Sequence, residues 1–199
     1  MAVGRKPFST GLGLEELGIQ KDERGFVTVN GHHQTKYPNV YAIGDLTPGP
    51  MLAHKAEEEG VAVAEFIVNG AGHVNYETVP SVIYTWPEFS AVGYTEEQLK
   101  QNNVPYNVGT FPFSANGRAR AANSTDGLVK VIAHKTTDKL LGVHIVGPRA
   151  SDLIMEAVVC MEFGGSAEDL ARSFHAHPTF AEAVREAALA CGGSGARQM

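Results

Sequence analysis

Two adjacent segments with alternating apolar residues constrain the fold of this chain more than any other sequence feature. Residues 127–134 and 139–146 each have the pattern of a half-buried strand, and only the loop Lys-Thr-Thr-Asp separates them. A connection this short joins antiparallel neighbours, so the sequence predicts a hairpin over 127–146. Further strands are predicted at 81–85, 89–94 and 106–113.

Helices are predicted to follow these strands. Ser151 is the predicted cap of an amphipathic helix that runs to residue 163 and stops at a Gly-Gly pair. The last predicted helix covers residues 179–190. Shorter helices are predicted at two capping boxes, Thr95 with Gln98 and Ser166 with Asp169. Strands followed by packed helices are typical of an α+β unit.

The composition changes near residues 71–74, where we predict a domain boundary. The first domain, 1–74, has three predicted elements: a short strand at 25–31, a buried parallel strand at 40–43 and a helix at 51–68. The second domain, 75–199, contains the hairpin, its neighbouring strands and the later helices. A glycine-rich tail is predicted from residue 192 onward.

A Gly-Asp corner follows the predicted strand at 40–43. Ligands bind at the carboxyl ends of strands in α/β sheets, and the Asp45 carboxylate could accept a hydrogen bond from a sugar-alcohol hydroxyl there. The next helix begins with backbone amides that lack intrahelical partners and favour negative charge. These amides belong to Met51, Leu52, Ala53 and His54. The alternative is a turn that serves folding alone, with an ordinary solvated acidic turn at Glu57, Glu58 and Glu59.

Charge and composition exclude several classes of function. The formal net charge is −6 and Lys and Arg do not cluster, which argues against nucleic acid or an anionic membrane as a partner. No apolar stretch reaches the roughly 20 residues that span a bilayer, and from the first residues we expect no signal peptide. Two cysteines without a paired framework fit a reducing compartment. Cys160 is predicted to be a packed thiol, whereas Cys191 is predicted to be exposed. No spacing predicts a metal site.

Near the end of the chain, a histidine precedes a glutamate by five residues, in the run His-Ala-His-Pro-Thr-Phe-Ala-Glu at 175–182. A general base needs a group that titrates near neutrality and a second group that fixes its tautomer, and His177 and Glu182 can provide both. The alternative is a capping box, in which Glu182 reaches back to the Thr179 amide and His177 lies exposed in a loop. His175 is predicted to be structural or accessory.

These motifs resemble the C-terminal part of the dihydrolipoamide dehydrogenase family, within the pyridine nucleotide-disulfide oxidoreductases. The most specific match is Met-Leu-Ala-His-Lys-Ala-Glu-Glu-Glu-Gly at 51–60, whereas the His-Pro-Thr…Glu element also occurs in other disulfide reductases. Further matching segments lie at 41–45, 79–85, 109–113 and 141–148, so the resemblance covers essentially the whole chain. It implies an α+β interface, or dimerisation, domain with a mixed or antiparallel sheet and packed helices, preceded by a partial FAD-binding α/β segment.

The resemblance also implies roles for single residues. It assigns Asp45 to the ribityl chain of FAD, the amides at 51–54 to the flavin pyrimidine edge, and Gly4 to the neighbourhood of NAD. His177 would act as acid and base in the oxidation of dihydrolipoamide, oriented by Glu182. In this family the histidine serves the flavin and disulfide of the other subunit, so a homodimer is implied. Further implied partners are lipoyl domains and the core subunit-binding domain of a 2-oxoacid dehydrogenase complex.

Parts of the family pattern are missing. The sequence has no Gly-x-Gly-x-x-Gly fingerprint, and Cys160 and Cys191 lack the close spacing of a redox-active pair. We therefore expect a fragment that retains neither FAD nor turnover by itself. Trp86 stands where the family commonly has histidine. The resemblance further implies a cis bond before Pro178 and the mitochondrial matrix, with the bacterial cytoplasm as the alternative location.

Two other interpretations stay open. The chain could be a catalytically silent dimerisation module that binds a partner, such as a core subunit-binding domain. It could also belong to a different disulfide reductase, although the run at 51–60 fits that interpretation poorly. Detection of bound flavin would favour the dehydrogenase, and a stable colourless dimer would favour the silent module.

Overall fold

The computed structural model describes residues 2–192. The chain forms two compact units, one up to Val74 and one from Asn75 onward. No helix within the described range is long and apolar enough to cross a membrane. Apart from its first residue, the predicted glycine-rich tail lies outside the described residues.

The first unit contains one long helix, α1, over Ala53–Asn69. The helix agrees with the predicted one and ends at Gly70, whose φ of 74° forms a left-handed cap. The predicted strands at 25–31 and 40–43 are wrong. Only isolated antiparallel bridges join these segments, at Lys21 with Val27 and at Gln34 with Tyr41. A parallel strand needs a neighbour for its N–H and C=O groups, and residues 2–74 supply none.

The second unit is built on a sheet of five strands. They are β1 (Ser81–Ile83), β2 (Glu88–Gly93), β3 (Tyr106–Pro112), β4 (Leu128–His134) and β5 (Leu140–Gly147). Their order in the sheet is β1-β2-β5-β4-β3, and every neighbouring pair is antiparallel. The predicted hairpin forms between β4 and β5, with Val131 opposite Val143. The predicted α+β fold with an antiparallel sheet is therefore confirmed.

Five α-helices accompany the sheet within residues 75–192. They are α2 (Glu96–Gln101), α3 (Gly117–Ala121), α4 (Ala150–Glu162), α5 (Ala167–Arg172) and α6 (Glu182–Cys191). Helix α4 packs on β2 and β5, and α6 packs on β3 and β4. The core lies between these layers, where Val131, Ile145, Ile154 and Val184 are fully buried. Burial of such side chains stabilises the fold by about 1.5–3 kcal/mol each.

The start of α4 differs from the prediction. Arg149, at a φ of 58°, precedes the helix, and Ser151 lies within its first turn rather than capping it. The backbone N–H of Ser151 donates to the Glu88 carboxylate on β2 at 2.9 Å. A partner from another strand therefore replaces the local cap, which sequence spacing could not show. The predicted capping boxes of α2 and α5 both form.

Because Gly109 has no side chain, the backbone of β3 packs directly against the backbone of α6. A Cβ at this position would lie 2.1 Å from the Ala187 carbonyl oxygen and 2.2 Å from the Cys191 nitrogen. We expect Gly109→Ala to lower the free energy of unfolding by about 1–3 kcal/mol, measured by urea denaturation, because the helix must move. Gly117→Ala is the matched control, since a Cβ there meets nothing within 4 Å. Equal stability of the two variants would contradict this packing argument.

Candidate functional site

His177 and Glu182 are in direct contact. The Nδ1 atom of His177 lies 2.8 Å from Glu182 Oε1. The contact orients the imidazole ring, because Nδ1–H donates to the carboxylate and Nε2 is left as the basic nitrogen. The ring itself is 77% exposed, whereas the carboxylate is 24% exposed. An oriented and accessible basic nitrogen is the geometry that a general base requires.

The Glu182 side chain also forms the contact to the Thr179 amide that the capping alternative predicts. The second oxygen of Glu182, Oε2, accepts the Thr179 backbone N–H at 2.9 Å. Helix α6 nevertheless begins at Glu182, not at residue 179 as predicted, since Phe180 and Ala181 form a preceding turn. One carboxylate thus binds the ring and the backbone together, which restricts its rotation.

The segment that carries His177 is attached to the rest of the unit. The peptide bond between His177 and Pro178 is cis. The Thr179 hydroxyl donates to the Ala176 carbonyl at 2.6 Å, and the side-chain amide of Asn116 donates to the Thr179 carbonyl at 3.0 Å. Phe180 packs edge-on against the buried Phe113, with ring centroids 6.3 Å apart. These contacts hold an exposed ring on a fixed backbone.

A second histidine–glutamate pair joins the same loop to helix α4. His175 is 6% exposed, and its Nε2 lies 2.8 Å from Glu156 Oε2 on α4. Its Nδ1–H donates to the Ser173 carbonyl at 2.9 Å. The contact to Glu156 therefore contains one proton, which belongs either to the ring or to the carboxyl group. Burial suits this ring to structural support, as predicted for His175.

The two glutamates have opposite pKa shifts. Partial burial raises the pKa of Glu182, but hydrogen bonds from Thr179 and His177 outweigh it, so the pKa lies below its ordinary value of 4.5. Burial raises the pKa of Glu156 above 4.5, and His175 only partly offsets this effect. Each glutamate touches a histidine, so the difference arises from burial and from the extra backbone donor at Glu182.

We expect the Glu182 carboxyl to titrate below pH 4.5 and the Glu156 carboxyl above it, in side-chain carbon-13 NMR spectra. Glu182 then contributes stability that is present above pH 4.5 and is lost as the pH falls through its folded pKa. Glu156 contributes stability that is present below pH 4.5 and is lost as the pH rises through its folded pKa. The variants Glu182→Gln and Glu156→Gln assign the signals. A titration midpoint for Glu182 above that for Glu156 would contradict the prediction.

Neither cysteine suits thiol chemistry. Cys191 is 2% exposed, so the prediction that it is exposed is wrong; burial raises its pKa to about 11. Its thiol lies against the Asn107 carbonyl of β3, because α6 packs on that strand. Cys160 is half-buried, and burial also raises its pKa. A thiolate is the reactive form of cysteine, so both residues are structural.

In the first unit, Asp45 lies at an exposed corner. Residues Gly44–Leu46 form a single 3-10 turn, and Gly44 adopts a φ of 67°. The turn precedes the N-terminus of α1, which has no side-chain cap. The prediction that the amides at 51–54 lack partners is wrong for Leu52, whose N–H donates to the Pro50 carbonyl at 3.1 Å.

Gly4 and Trp86 lie on the surfaces of their own units. Gly4 is exposed with a φ of 85°, and a Cβ there would meet nothing within 4 Å. The backbone conformation alone accounts for this glycine. Trp86 is also exposed, and its peptide bond to Pro87 is cis.

Sequence reasoning missed a buried ion pair beneath the Asp45 turn. Lys55 and Glu59 lie one helical turn apart on α1, and Lys55 Nζ is 2.9 Å from Glu59 Oε1. Both side chains are about 1% exposed. The prediction of a solvated acidic turn is therefore wrong for Glu59 but holds for Glu57 and Glu58, which are exposed. The i,i+4 spacing of opposite charges was the available signal.

Comparison with protein-family models identifies both units. Residues 79–188, more than half of the chain, match the dimerisation domain of the pyridine nucleotide-disulphide oxidoreductases. This chain belongs to the pyridine nucleotide-disulphide oxidoreductase family. Residues 1–60 match a second model of the same family, also described as pyridine nucleotide-disulphide oxidoreductase.

Curated relatives of this chain carry the name that the sequence motifs predict. It is 55% identical over 190 residues to dihydrolipoamide dehydrogenase of Chaetomium thermophilum, and the matched region covers 96% of this chain and 38% of the relative. It is 56% identical to the mitochondrial dihydrolipoyl dehydrogenase of Sus scrofa and 55% identical to that of Homo sapiens, covering 37% of each. The resemblance is confirmed, and the chain spans little more than a third of these relatives.

Solved structures of family members have the same fold. The LpdA structure from Mycobacterium tuberculosis matches 94% of this chain with a TM-score of 0.86 at 30% identity, and 41% of that protein is covered. RclA from Escherichia coli, a HOCl-induced flavoprotein disulfide reductase, matches with a TM-score of 0.85 at 28% identity, with 43% covered. FAD and NAD are the cofactors of this family.

Proposed function

We propose that this chain is the acid–base and dimerisation part of a dihydrolipoamide dehydrogenase. The observation that carries the proposal is the 2.8 Å contact between His177 Nδ1 and Glu182 Oε1 on an exposed ring. Oxidation of a dithiol removes two electrons and two protons, and a thiol must lose its proton before its sulfur can attack a disulfide. His177 Nε2 takes that proton, and the Glu182 carboxylate stabilises the imidazolium that results.

The disulfide that accepts the electrons lies outside the described residues of this chain. Cys191 and Cys160 have raised pKa values and are at least half-buried, so neither supplies the redox pair. The proposal therefore requires a polypeptide segment with a close cysteine pair, held near His177. A composite site of this kind explains why the His177 ring is exposed instead of being enclosed by its own unit.

A homodimer is the arrangement we propose for this site. Helix α4 and the residue that caps its C-terminus present apolar side chains to solvent at an i, i+4, i+8 spacing, from Met155 through Val159 to the cap residue Phe163. Residues with this spacing line one face of a helix, opposite the buried Ile154 and Ala157. A second copy of the chain would cover this face. The family match to a dimerisation domain supports the same assignment.

The Asp45 turn fits a flavin dinucleotide. The carboxylate is exposed beside the N-terminus of a 17-residue helix that lacks a side-chain cap. Asp45 would accept hydrogen bonds from the ribityl hydroxyls, and the start of α1 would face the pyrimidine edge. When bound, FAD would accept the electron pair of the dithiol through the disulfide and pass it to NAD.

Other parts of the assignment rest on the relatives alone. The neighbourhood of NAD is proposed for Gly4 from the relatives, since a Cβ on Gly4 would meet nothing within 4 Å among the described residues. Lipoyl domains and a 2-oxoacid dehydrogenase core are the proposed partners. The mitochondrial matrix is the proposed location, since the relatives from Sus scrofa, Mus musculus and Arabidopsis thaliana are named mitochondrial.

The proposal is tested with a chimera that joins the N-terminal part of the Sus scrofa relative to residues 1–199. We expect the purified chimera to bind flavin and to reduce NAD when dihydrolipoamide is added. The chain alone, supplied with the same reagents, is expected to show no turnover. A dimeric chimera with bound flavin but without dihydrolipoamide oxidation would refute the proposed role of this chain.

A second candidate function is a catalytically silent dimerisation module. The exposed apolar face of α4 favours it, because that face needs no cofactor to bind a second copy. Sedimentation equilibrium and a visible spectrum of the chain alone distinguish the two candidates when combined with the chimera. A stable colourless dimer together with an inactive chimera would support the silent module.

A further inference from the structure

The buried Lys55–Glu59 pair has contacts beyond its own salt bridge. Glu59 Oε2 accepts the backbone N–H of Gly44 at 2.6 Å, and Lys55 Nζ donates to the Gly44 carbonyl oxygen at 3.0 Å. Both polar backbone groups of the residue before Asp45 are therefore held by one ion pair. Lys55 Nζ also lies 3.3 Å from the Thr47 hydroxyl oxygen, which donates to the same Gly44 carbonyl at 3.0 Å.

The backbone of the turn rests directly on α1. Gly44 adopts a φ of 67°, and a Cβ there would lie 3.1 Å from the Cβ of Ala56. At Gly49, with a φ of 120°, a Cβ would lie 3.3 Å from Cε of Lys55. The turn thus has glycine at two positions that lie close to α1, and one of these, Gly49, lies against the Lys55 side chain of the ion pair.

Stability alone does not explain two buried charges. Apolar residues of similar size are often as stabilising as a buried ion pair, because removing charges from water is costly. The pair does provide a fixed donor and a fixed acceptor, which apolar residues cannot. Its distinguishing contribution is therefore the direction in which the Gly44 peptide, and the residue after it, is held.

We propose that Lys55 and Glu59 are positioning residues for the Asp45 turn. They bind the Gly44 N–H and carbonyl as a clamp and thereby set the direction of the Asp45 carboxylate in the turn that precedes α1. The inference rests on the proposed function for its ligand, since Asp45 is there the acceptor for the FAD ribityl hydroxyls. The clamp itself is a property of this chain without the cofactor.

The test measures hydrogen exchange of the Gly44 amide by NMR in the 199-residue chain. The double variant Lys55→Met with Glu59→Leu removes the clamp and leaves an apolar contact in its place. We expect a urea midpoint near that of the wild type but exchange at Gly44 faster by at least about tenfold. The variant Glu59→Gln retains an oxygen for the Gly44 N–H and is expected to keep slower exchange than the double variant.

An exposed ion pair in the same unit provides the matched control. Lys21 Nζ contacts Glu15 Oε1 at the surface, and the double variant Lys21→Met with Glu15→Leu should leave Gly44 exchange unchanged. Unchanged Gly44 exchange in the Lys55 and Glu59 double variant would overturn the proposal. So would faster exchange that merely follows a lower urea midpoint, because that result indicates a structural role alone.

Titration of the chimera with FAD, as the wild type and as each variant, separates this proposal from the function it rests on. If neither the wild type nor Asp45→Asn binds FAD while Gly44 exchange changes as expected, the clamp stands and the flavin role lacks support. If Asp45→Asn weakens FAD binding but the Lys55 and Glu59 double variant does not, the positioning role is wrong. Weaker binding in both variants supports both proposals.

Discussion

Replacement of His177 by Gln in the chimera is expected to lower the rate of dihydrolipoamide oxidation by about 10²–10⁴-fold. Glutamine fills a similar volume and can still bond to Glu182, but it cannot accept a thiol proton near neutral pH. Steady-state turnover with dihydrolipoamide and NAD is the measurement. The transfer of hydride between NADH and an artificial acceptor through flavin involves no thiol proton, so that activity should be retained.

The control for this variant is His73→Gln, the same substitution at an exposed histidine in the first unit. It should leave both activities unchanged. Glu182→Gln should lower dihydrolipoamide oxidation less than His177→Gln does, since the base is retained and only its orientation and charge stabilisation are weakened. If His177→Gln retains full dihydrolipoamide oxidation, Glu182 is a helix-start residue and the catalytic interpretation fails.

Replacement of Lys55 by Met is expected to lower the free energy of unfolding of the first unit by about 3–5 kcal/mol. Glu59 would then be fully buried without the ammonium group that now lies 2.9 Å away. Loss of the donor to the Gly44 carbonyl would add to this cost. Urea unfolding followed by the NMR signals of residues 2–74 measures the change for this unit separately.

Two further variants serve as controls for the stability of Lys55→Met. Lys6→Met removes an exposed lysine from the same unit and should change the free energy of unfolding by no more than about 0.5 kcal/mol. Glu59→Leu combined with Lys55→Met should recover most of the lost stability, because no unpaired charge remains. A Lys55→Met variant as stable as the wild type would show that the Glu59 carboxylate reaches water or another cation.

The second unit could be predicted largely from the sequence. Alternation over 127–146 indicated the β4–β5 hairpin, and the capping boxes at Thr95 and Ser166 indicated two helix starts. These signals are local, because a strand face or a cap is specified by residues close together in the chain. His177 and Glu182 are also close in sequence, so their contact at 2.8 Å could be anticipated from spacing.

Features that depend on distant partners were decided by the tertiary structure. Cys191 is buried because β3 packs against α6, and His175 acquires its glutamate from α4. In the first unit, an apolar run at 40–43 did not suffice to form a strand without a neighbouring one. The sequence predicts Glu59 to be one of three solvated acids, yet its carboxylate is buried and accepts the Gly44 N–H.

The sequence by itself therefore determined the family, the α+β fold of the second unit and the identity of the histidine–glutamate pair. Only the tertiary structure decided that one Glu182 carboxylate serves both the ring and the helix start, and that Lys55 and Glu59 hold the turn before Asp45. The physical reason is burial. A side chain becomes costly to leave unpaired only when other elements cover it, and sequence spacing does not reveal which elements those are.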